Sequence, residues 1–207
     1  MQSELILVRH GETHWNAEGR IQGKGDSPLT ERGILQAKAV GVRLQHEGFT
    51  ALYASHLGRV LETARHIAAV TGHTIQTDER LQERSYGIFE GLTQAEAQTN
   101  HADIYQAYKS NYSPDFAIPE AESMRQLLVR GQTVFQELAQ RHPGERIAVV
   151  SHGSFLRSVL ADILGVPMGA KYGFQLANGS LSEIAFEGDN WRVTTLGEVY
   201  HLRVVGL

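Results

Sequence analysis

The chain has 207 residues, a length that suits one or two domains, with 42% hydrophobic and 20% charged residues. Its net charge is −4 with no block of like charges, so it carries no electrostatic footprint for nucleic acid or a membrane surface. The absence of cysteine excludes disulfides and thiolate metal sites; no signal peptide pattern or bilayer-length apolar run is seen, and a cytoplasmic location is expected.

Leu5–Val8 is an apolar run of strand type that leads straight into Arg9, His10 and Gly11. Ile34, Ala37, Gly41 and Leu44 then share one face of a helix that Thr30 can cap. A second strand, Ala51–Ala54, is followed by Ser55, and a helix striped by Leu57, Val60, Leu61, Ala64 and Ala68 carries Arg59. From Glu90 to Pro119 the pattern is irregular and rich in polar and aromatic residues, which predicts a helical cap insertion over one end of the sheet, at about 90–120. Met124, Leu127, Leu128, Gly131, Val134, Phe135 and Leu138 make the strongest helical stripe. The strand Arg146–Val150 runs into Ser151, His152 and Gly153, and a further helix carries Phe155, Leu156, Val159, Leu160 and Ile163 before Gly165 and Pro167 end it. Leu181–Phe186 and Trp191–Leu196 read as a hairpin around Glu187, Gly188, Asp189 and Asn190. The tail VYHLRVVGL could add an edge strand, cover a site or pair two chains.

Strands alternating with helices predict an α/β fold of three layers, with a mostly parallel central sheet flanked by helices. No repeat, low-complexity tract or Pro/Ser-rich linker divides the chain, so a single domain over residues 1–207 is expected. Ligands of open α/β sheets bind beyond the carboxyl ends of the strands. Here those ends deliver two histidines, His10 and His152, and two arginines, Arg9 and Arg59, to one edge.

Two imidazoles and two guanidiniums beside glycines suit a tetrahedral dianion. Arginine forks match phosphate oxygens and keep their charge. Gly11 and Gly153 let backbone N–H groups approach the oxygens, and a helix starting near Ser154 adds its positive end. A neutral histidine can attack phosphorus, provided a hydrogen bond from its other nitrogen fixes the tautomer. The leaving alcohol needs a proton donor, and the stretch LQERSYGIFEGLT offers Glu83, with Glu90 as the weaker candidate.

Five motifs stand in order along nearly the whole chain: LVRHGET-x-WN, GRIQG-x-x-D-x-PLT-x-x-G-x-x-QA, S-x-L-x-R-x-x-ETA, ER-x-YG-x-x-EG and VSHG. Together they resemble the histidine phosphatase superfamily, which includes cofactor-dependent phosphoglycerate mutases. The resemblance implies that His10 is the nucleophile that becomes phosphorylated and that Arg9, Arg59 and His152 bind the phosphoryl group. It implies that Glu83 is the proton donor, that Asn16 contacts phosphate, and that Thr13, Gln22 and Gly23 line the site. Gly153 and Ser154 would offer backbone N–H groups, and neither metal nor cofactor is implied. The chain departs from the family pattern at His56, at Val60, and at Pro119-Glu120-Ala121-Glu122-Ser123, where a glycine is missing.

A mutase must hold a second anionic group and keep water from its phosphohistidine. The region Glu90–Met124 contains one lysine, Lys109, and no arginine. The expectation is therefore a metal-independent, acid-type phosphatase acting on a small phosphomonoester, with Tyr105, Tyr108, Tyr112 and Phe116 contacting the alcohol. A phosphoglycerate mutase and a non-enzymatic phosphate sensor on the same fold are the alternatives. The remaining histidines, His14, His46, His66, His73, His101, His142 and His201, read as surface positions. GRIQGKGD lacks P-loop spacing, and His10 and His14 lack the helical setting of a metal motif.

Overall fold

The computed structural model describes residues 2–111, 113–168, 170, 172–188 and 190–207. Its centre is a strand, β1 (Ser3–Arg9), paired in parallel with β4 (Arg146–Ser151) and antiparallel with β5 (Leu181–Glu187). With β2 (Leu52–Ala54), β3 (Ile75–Thr77) and β6 (Asn190–Glu198) the sheet has the order β3-β2-β4-β1-β5-β6. The first four strands in that order are mutually parallel, and β5 and β6 form the antiparallel margin.

The continuous apolar runs in β1 and β4 follow from burial on both faces. Leu5, Leu7, Ile147 and Val149 point into one core, shared with helices α6 (Met124–Arg141) and α7 (Gly153–Ile163). Ile6, Val8, Ala148 and Val150 point into the other, shared with α2 (Glu31–Leu44) and α3 (Gly58–Thr71). This is the period-two alternation of a pleated strand, sandwiched between two helical layers. The helix ends are chemically marked. The Thr30 hydroxyl accepts the Gly33 N–H at 3.0 Å, Ser123 caps α6 reciprocally with Gln126, and Gly72 closes α3 at φ 76°.

The segment 90–120 carries two short helices, α4 (Gln94–Asn100) and α5 (Ala102–Ser110). They pack a third, small core around Phe89, Ala97, Tyr105 and Ile118. Tyr112, expected to face the alcohol, and Asp189, in the expected hairpin turn, lie outside the described residues. The structure adds elements the patterns did not announce. β3 is three residues long and largely exposed, so it carries no apolar signature. The four-residue α1 (His14–Ala17) is defined by its Thr13 cap rather than by a stripe. The tail is neither strand nor lid: it forms α8 (Tyr200–Val204), which packs on α2. His201 is buried there rather than exposed, bonded to the Gly179 carbonyl at 2.9 Å and near Glu198 at 3.2 Å. Among the described residues no helix is long and apolar enough to cross a membrane.

Candidate active site

Strand register brings the chemistry together. Arg9 is level with Ser151, and Ala54 with Val150, so the chain segments after β1, β2 and β4 emerge side by side. The His10 N–H donates to the Ser151 carbonyl at 3.0 Å and the Ser55 N–H to the Val150 carbonyl at 3.1 Å, which extends the ladder past the strands. Arg9, His10, Arg59 and Glu83 thereby line one cavity of about 570 Å³, together with Asn16, Gln22, Gly23, Gly153 and Ser154.

His10 is buried, and its Nδ1 lies 2.7 Å from the Gly11 carbonyl oxygen. A carbonyl only accepts, so Nδ1 carries the proton and Nε2 keeps its lone pair. Burial, reinforced by the nearby Arg59 and Arg9 charges, holds the His10 pKa well below the ordinary 6.5. The imidazole is therefore neutral at neutral pH. His152 stands edge-on to it, with ring centroids 5.4 Å apart. Its pKa is also well below the ordinary value, first through burial and then through Arg59. His152 Nε2 pairs with the Ser55 hydroxyl at 2.9 Å. The ring sits behind His10 rather than on the cavity wall.

Arg59 is 1% exposed, and its Nη1 and Nη2 grip the loop that precedes α2, donating to the Gly25 and Gly23 carbonyls at 2.6 and 2.8 Å. Asp26 pairs with the same guanidinium at 3.1 Å. Arg9 donates Nη1 to the Leu176 carbonyl. Burial draws the pKa of both arginines down, opposed in each case by Glu83. Arg9 Nε, Arg59 Nε and His152 Nδ1 are all buried without a hydrogen-bond partner among the described residues. Buried polar atoms are rarely left unsatisfied without a functional reason, and three nitrogens in one cluster call for an anion.

Among the described residues, Glu83 is the one carboxylate on the cavity wall. Its Oε1 accepts the Arg84 and Phe155 N–H groups, both at 2.8 Å, and its Oε2 accepts the Ser154 N–H at 3.0 Å. The first turn of α7 thus holds Glu83 in place. This corrects the expectation for Ser154, whose N–H is already engaged. Gly153 is required for a different reason than expected: a Cβ there would stand 2.9 Å from Arg9 Nε. Glu90 is no rival to Glu83. It accepts the Tyr86 N–H at 2.9 Å and the Gly25 N–H at 3.2 Å, bracing two loops from outside the cavity. Thr13 is wholly buried and off the wall; its hydroxyl accepts the Asn16 N–H, and its own N–H donates to Asn16 Oδ1. It therefore positions Asn16 instead of lining the site.

Several residues on or behind the cavity wall escape a reading from sequence. Asn178 donates to the His10 carbonyl and to Asn16 Oδ1, each at 3.1 Å, from an irregular stretch with no pattern. Arg157 is embedded in the apolar stripe of α7, where an arginine looks incidental. Tyr86 stood within the ER-x-YG motif, which was the available signal. Its phenol, pushed up to about 12 by burial, donates to the Ser154 hydroxyl at 3.0 Å.

A buried neutral imidazole with a free nitrogen, unsatisfied cationic nitrogens around it and a fixed carboxylate opposite is the equipment of an enzyme that moves a phosphoryl group. The chain belongs to the histidine phosphatase superfamily (branch 1), whose model matches residues 5–199. It is 39% identical over 204 residues to the probable phosphoglycerate mutase GpmB of Enterobacter sp. (strain 638), covering 96% of this chain and 94% of that one. Among solved structures it resembles Bacillus stearothermophilus YhfR, with a TM-score of 0.88, 32% identity and coverage of 97% and 99%. It also resembles a mutant phosphoserine phosphatase from Entamoeba histolytica in complex with phosphoserine, with a TM-score of 0.86, 28% identity and coverage of 97% and 99%.

Proposed function

We propose that the protein hydrolyses a small phosphomonoester through a phosphohistidine on His10. The observation that carries this reading is the set of three unpartnered buried nitrogens, on Arg9, Arg59 and His152, around a neutral His10. In the first step the lone pair of His10 Nε2 attacks phosphorus and the ester P–O bond breaks. Protonated Glu83 gives its proton to the leaving alkoxide oxygen; Oε2 accepts only one backbone bond and so retains a lone pair to carry that proton. Arg9 and Arg59 balance the charge on the transferring group, which is most of what phosphoryl transfer asks of a protein, and the neutral His152 keeps an unpartnered Nδ1 beside them. In the second step Glu83 takes a proton from water, the oxygen attacks phosphorus, and the P–N bond breaks to release phosphate and restore His10.

Hydrolysis is favoured over mutase chemistry by the shape of the cleft. The inner cavity shares Tyr108, Lys109, Arg157 and Gln175 with a second cavity of about 610 Å³. A phosphohistidine in so roomy a cleft is accessible to water, which a mutase must exclude. The sequence argument from a cation-poor cap does not hold, because Arg20, Arg84 and Arg157 reach the two cavities from outside the segment 90–124. Phosphoglycerate interconversion therefore stands as the second reading, supported by the 39% identical relative bearing a mutase name. The test is a measurement of released phosphate from 3-phosphoglycerate and from phenyl phosphate beside the rate of 3- to 2-phosphoglycerate conversion. Phosphate release from phenyl phosphate with little interconversion supports the phosphatase. Predominant interconversion contradicts it, and no turnover of either compound would favour a sensor.

A further inference from the structure

Glu83 lies in no strand or helix. It follows one 3-10 turn, Glu79–Leu81, and precedes another, Gly87–Phe89. A proton donor on such a segment has to be fixed through its backbone, because transfer to a leaving oxygen needs heavy atoms within about 2.6–3.2 Å. The three carbonyls before Glu83 each accept a hydrogen bond from a side chain of the sheet or its helical layer. Arg130, on α6, donates Nη1 to the Arg80 carbonyl at 2.6 Å and to the Gln82 carbonyl at 2.9 Å. The Ser151 hydroxyl donates to the Leu81 carbonyl at 2.7 Å. The Gln82 carbonyl belongs to the peptide group that joins Gln82 to Glu83, so Arg130 helps set the plane from which the Glu83 side chain departs.

Arg130 is itself held on two further sides. Its Nε and Nη2 donate to Glu122 Oε1 and Oε2 at 2.9 and 2.7 Å, a fork-to-fork pair shielded from water, with side chains 14% and 17% exposed. Its guanidinium lies 4.9 Å from the centroid of the Phe155 ring, and the Phe155 N–H is one of those that hold Glu83 Oε1, at 2.8 Å. One guanidinium thus braces the carboxylate from both directions: through the peptide before it, and against the residue whose N–H fixes its oxygen. Glu122 belongs to the Pro119–Ser123 segment, and its own N–H donates to the Ser85 carbonyl at 3.2 Å, just past Glu83. Arg130 is not among the residues that line either cavity, so it does not meet the ester. Its charge also bears on His152, after burial, Arg59 and His10. That influence acts on the phosphoryl group and not on the leaving oxygen, which makes the two routes separable.

We propose that Arg130, with Glu122 as its counter-ion, is a positioning residue for proton transfer by Glu83. This rests on the reading of Glu83 as the proton donor. Lysine keeps the charge but cannot span two carbonyls and a carboxylate in one plane, so it is the geometry of the fork that matters.

The test compares kcat/KM for two esters: phenyl phosphate, whose leaving oxygen needs a proton, and 2,4-dinitrophenyl phosphate, whose leaving group departs as a stable anion. The ratio of the second to the first does not depend on how much of a variant is folded, and a defect in phosphoryl binding lowers both values together. In Glu83→Gln the ratio should rise by about 10²-fold or more, the usual worth of a general acid. In Arg130→Gln it should rise by about tenfold or more, as expected for a donor displaced rather than removed, with most of the loss confined to phenyl phosphate. Arg130→Lys should also raise it, since the charge alone does not restore the fork. An unchanged ratio in Arg130→Gln, beside a raised one in Glu83→Gln, overturns the positioning role and leaves Glu83 as the donor. If Arg130→Gln does not fold, Arg130→Lys decides in the same way. An unchanged ratio in Glu83→Gln removes the proton donor and the positioning role with it. Failure of the unaltered protein to turn over either ester overturns the phosphomonoester reading together with the role of Arg130.

Discussion

The imidazole of His10 is buried beside two guanidinium groups, and this placement sets how the protein should respond to pH. With its pKa well below 6.5, the nucleophile remains unprotonated through mildly acidic solution. The kcat/KM for phenyl phosphate should then show no loss centred on 6.5, and its acid limb should fall lower; a midpoint at 6.5 would show that His10 is not electrostatically depressed. The same shifts act on stability. In the unfolded chain His10 and His152 titrate near the ordinary 6.5, whereas in the folded chain both pKa values lie lower. Below 6.5 the unfolded state binds more protons, so the stabilisation from keeping these rings neutral is complete above 6.5 and is lost as pH falls through the folded values. Urea midpoints should drop on acidification below 6.5, and His10→Ala should show a shallower pH dependence; an unchanged slope in that variant would contradict the assignment. Glu83→Gln keeps the side chain's size but removes the proton carrier, and it should lower kcat by about 10²–10⁴-fold. Stopped assays on that variant should still detect slow phosphorylation of His10.

The elements pack closely around these groups, and Gly153 shows how little slack they leave. It opens α7 against the Arg9 guanidinium, and a Cβ there would approach Nε to 2.9 Å and Cζ to 3.1 Å. Gly153→Ala should therefore displace Arg9 and reduce kcat/KM for phenyl phosphate by up to about 10²-fold, the order expected for ångström-scale misplacement. Retained wild-type kcat/KM would mean that Arg9 is not held by this contact. Elements are also where the sequence was most and least informative. β1 and β4 were legible because burial on both faces forces an unbroken apolar run, and α6 because Leu127, Val134, Phe135 and Leu138 keep helical spacing. The exposed three-residue β3 and the cap-defined α1 carry no such signal. At the site, His10, Arg9, Arg59, Glu83 and His152 could be named from five motifs in order. The part of Asn178, which reaches back 168 positions to the His10 carbonyl, could not, because nothing in chain spacing encodes so distant a contact. Likewise Thr13 and Ser154 were assigned to ligand contact, while their polar groups hold Asn16, Glu83 and Tyr86 instead.

The whole molecule carries a net charge of −4, yet among the described residues its cleft presents Arg9, Arg20, Arg59, Lys109 and Arg157 against a single carboxylate, Glu83. A cationic concavity on an anionic body concentrates anions locally, and screening weakens that attraction over a Debye length of about 8–10 Å near physiological salt. The kcat/KM for phenyl phosphate should consequently fall as sodium chloride rises from about 20 to 500 mM, with less change in kcat; indifference to salt would show that the cleft's charge is not felt by an incoming ester. The most direct test of the central claim is to mix the protein with a phosphate-labelled ester, quench within a turnover and map the label by peptide mass spectrometry. The account predicts an acid-labile phosphoryl group on His10 that is absent from His10→Ala. Turnover of the ester by His10→Ala at the wild-type rate, with no label on His10 of the unaltered protein, would contradict it.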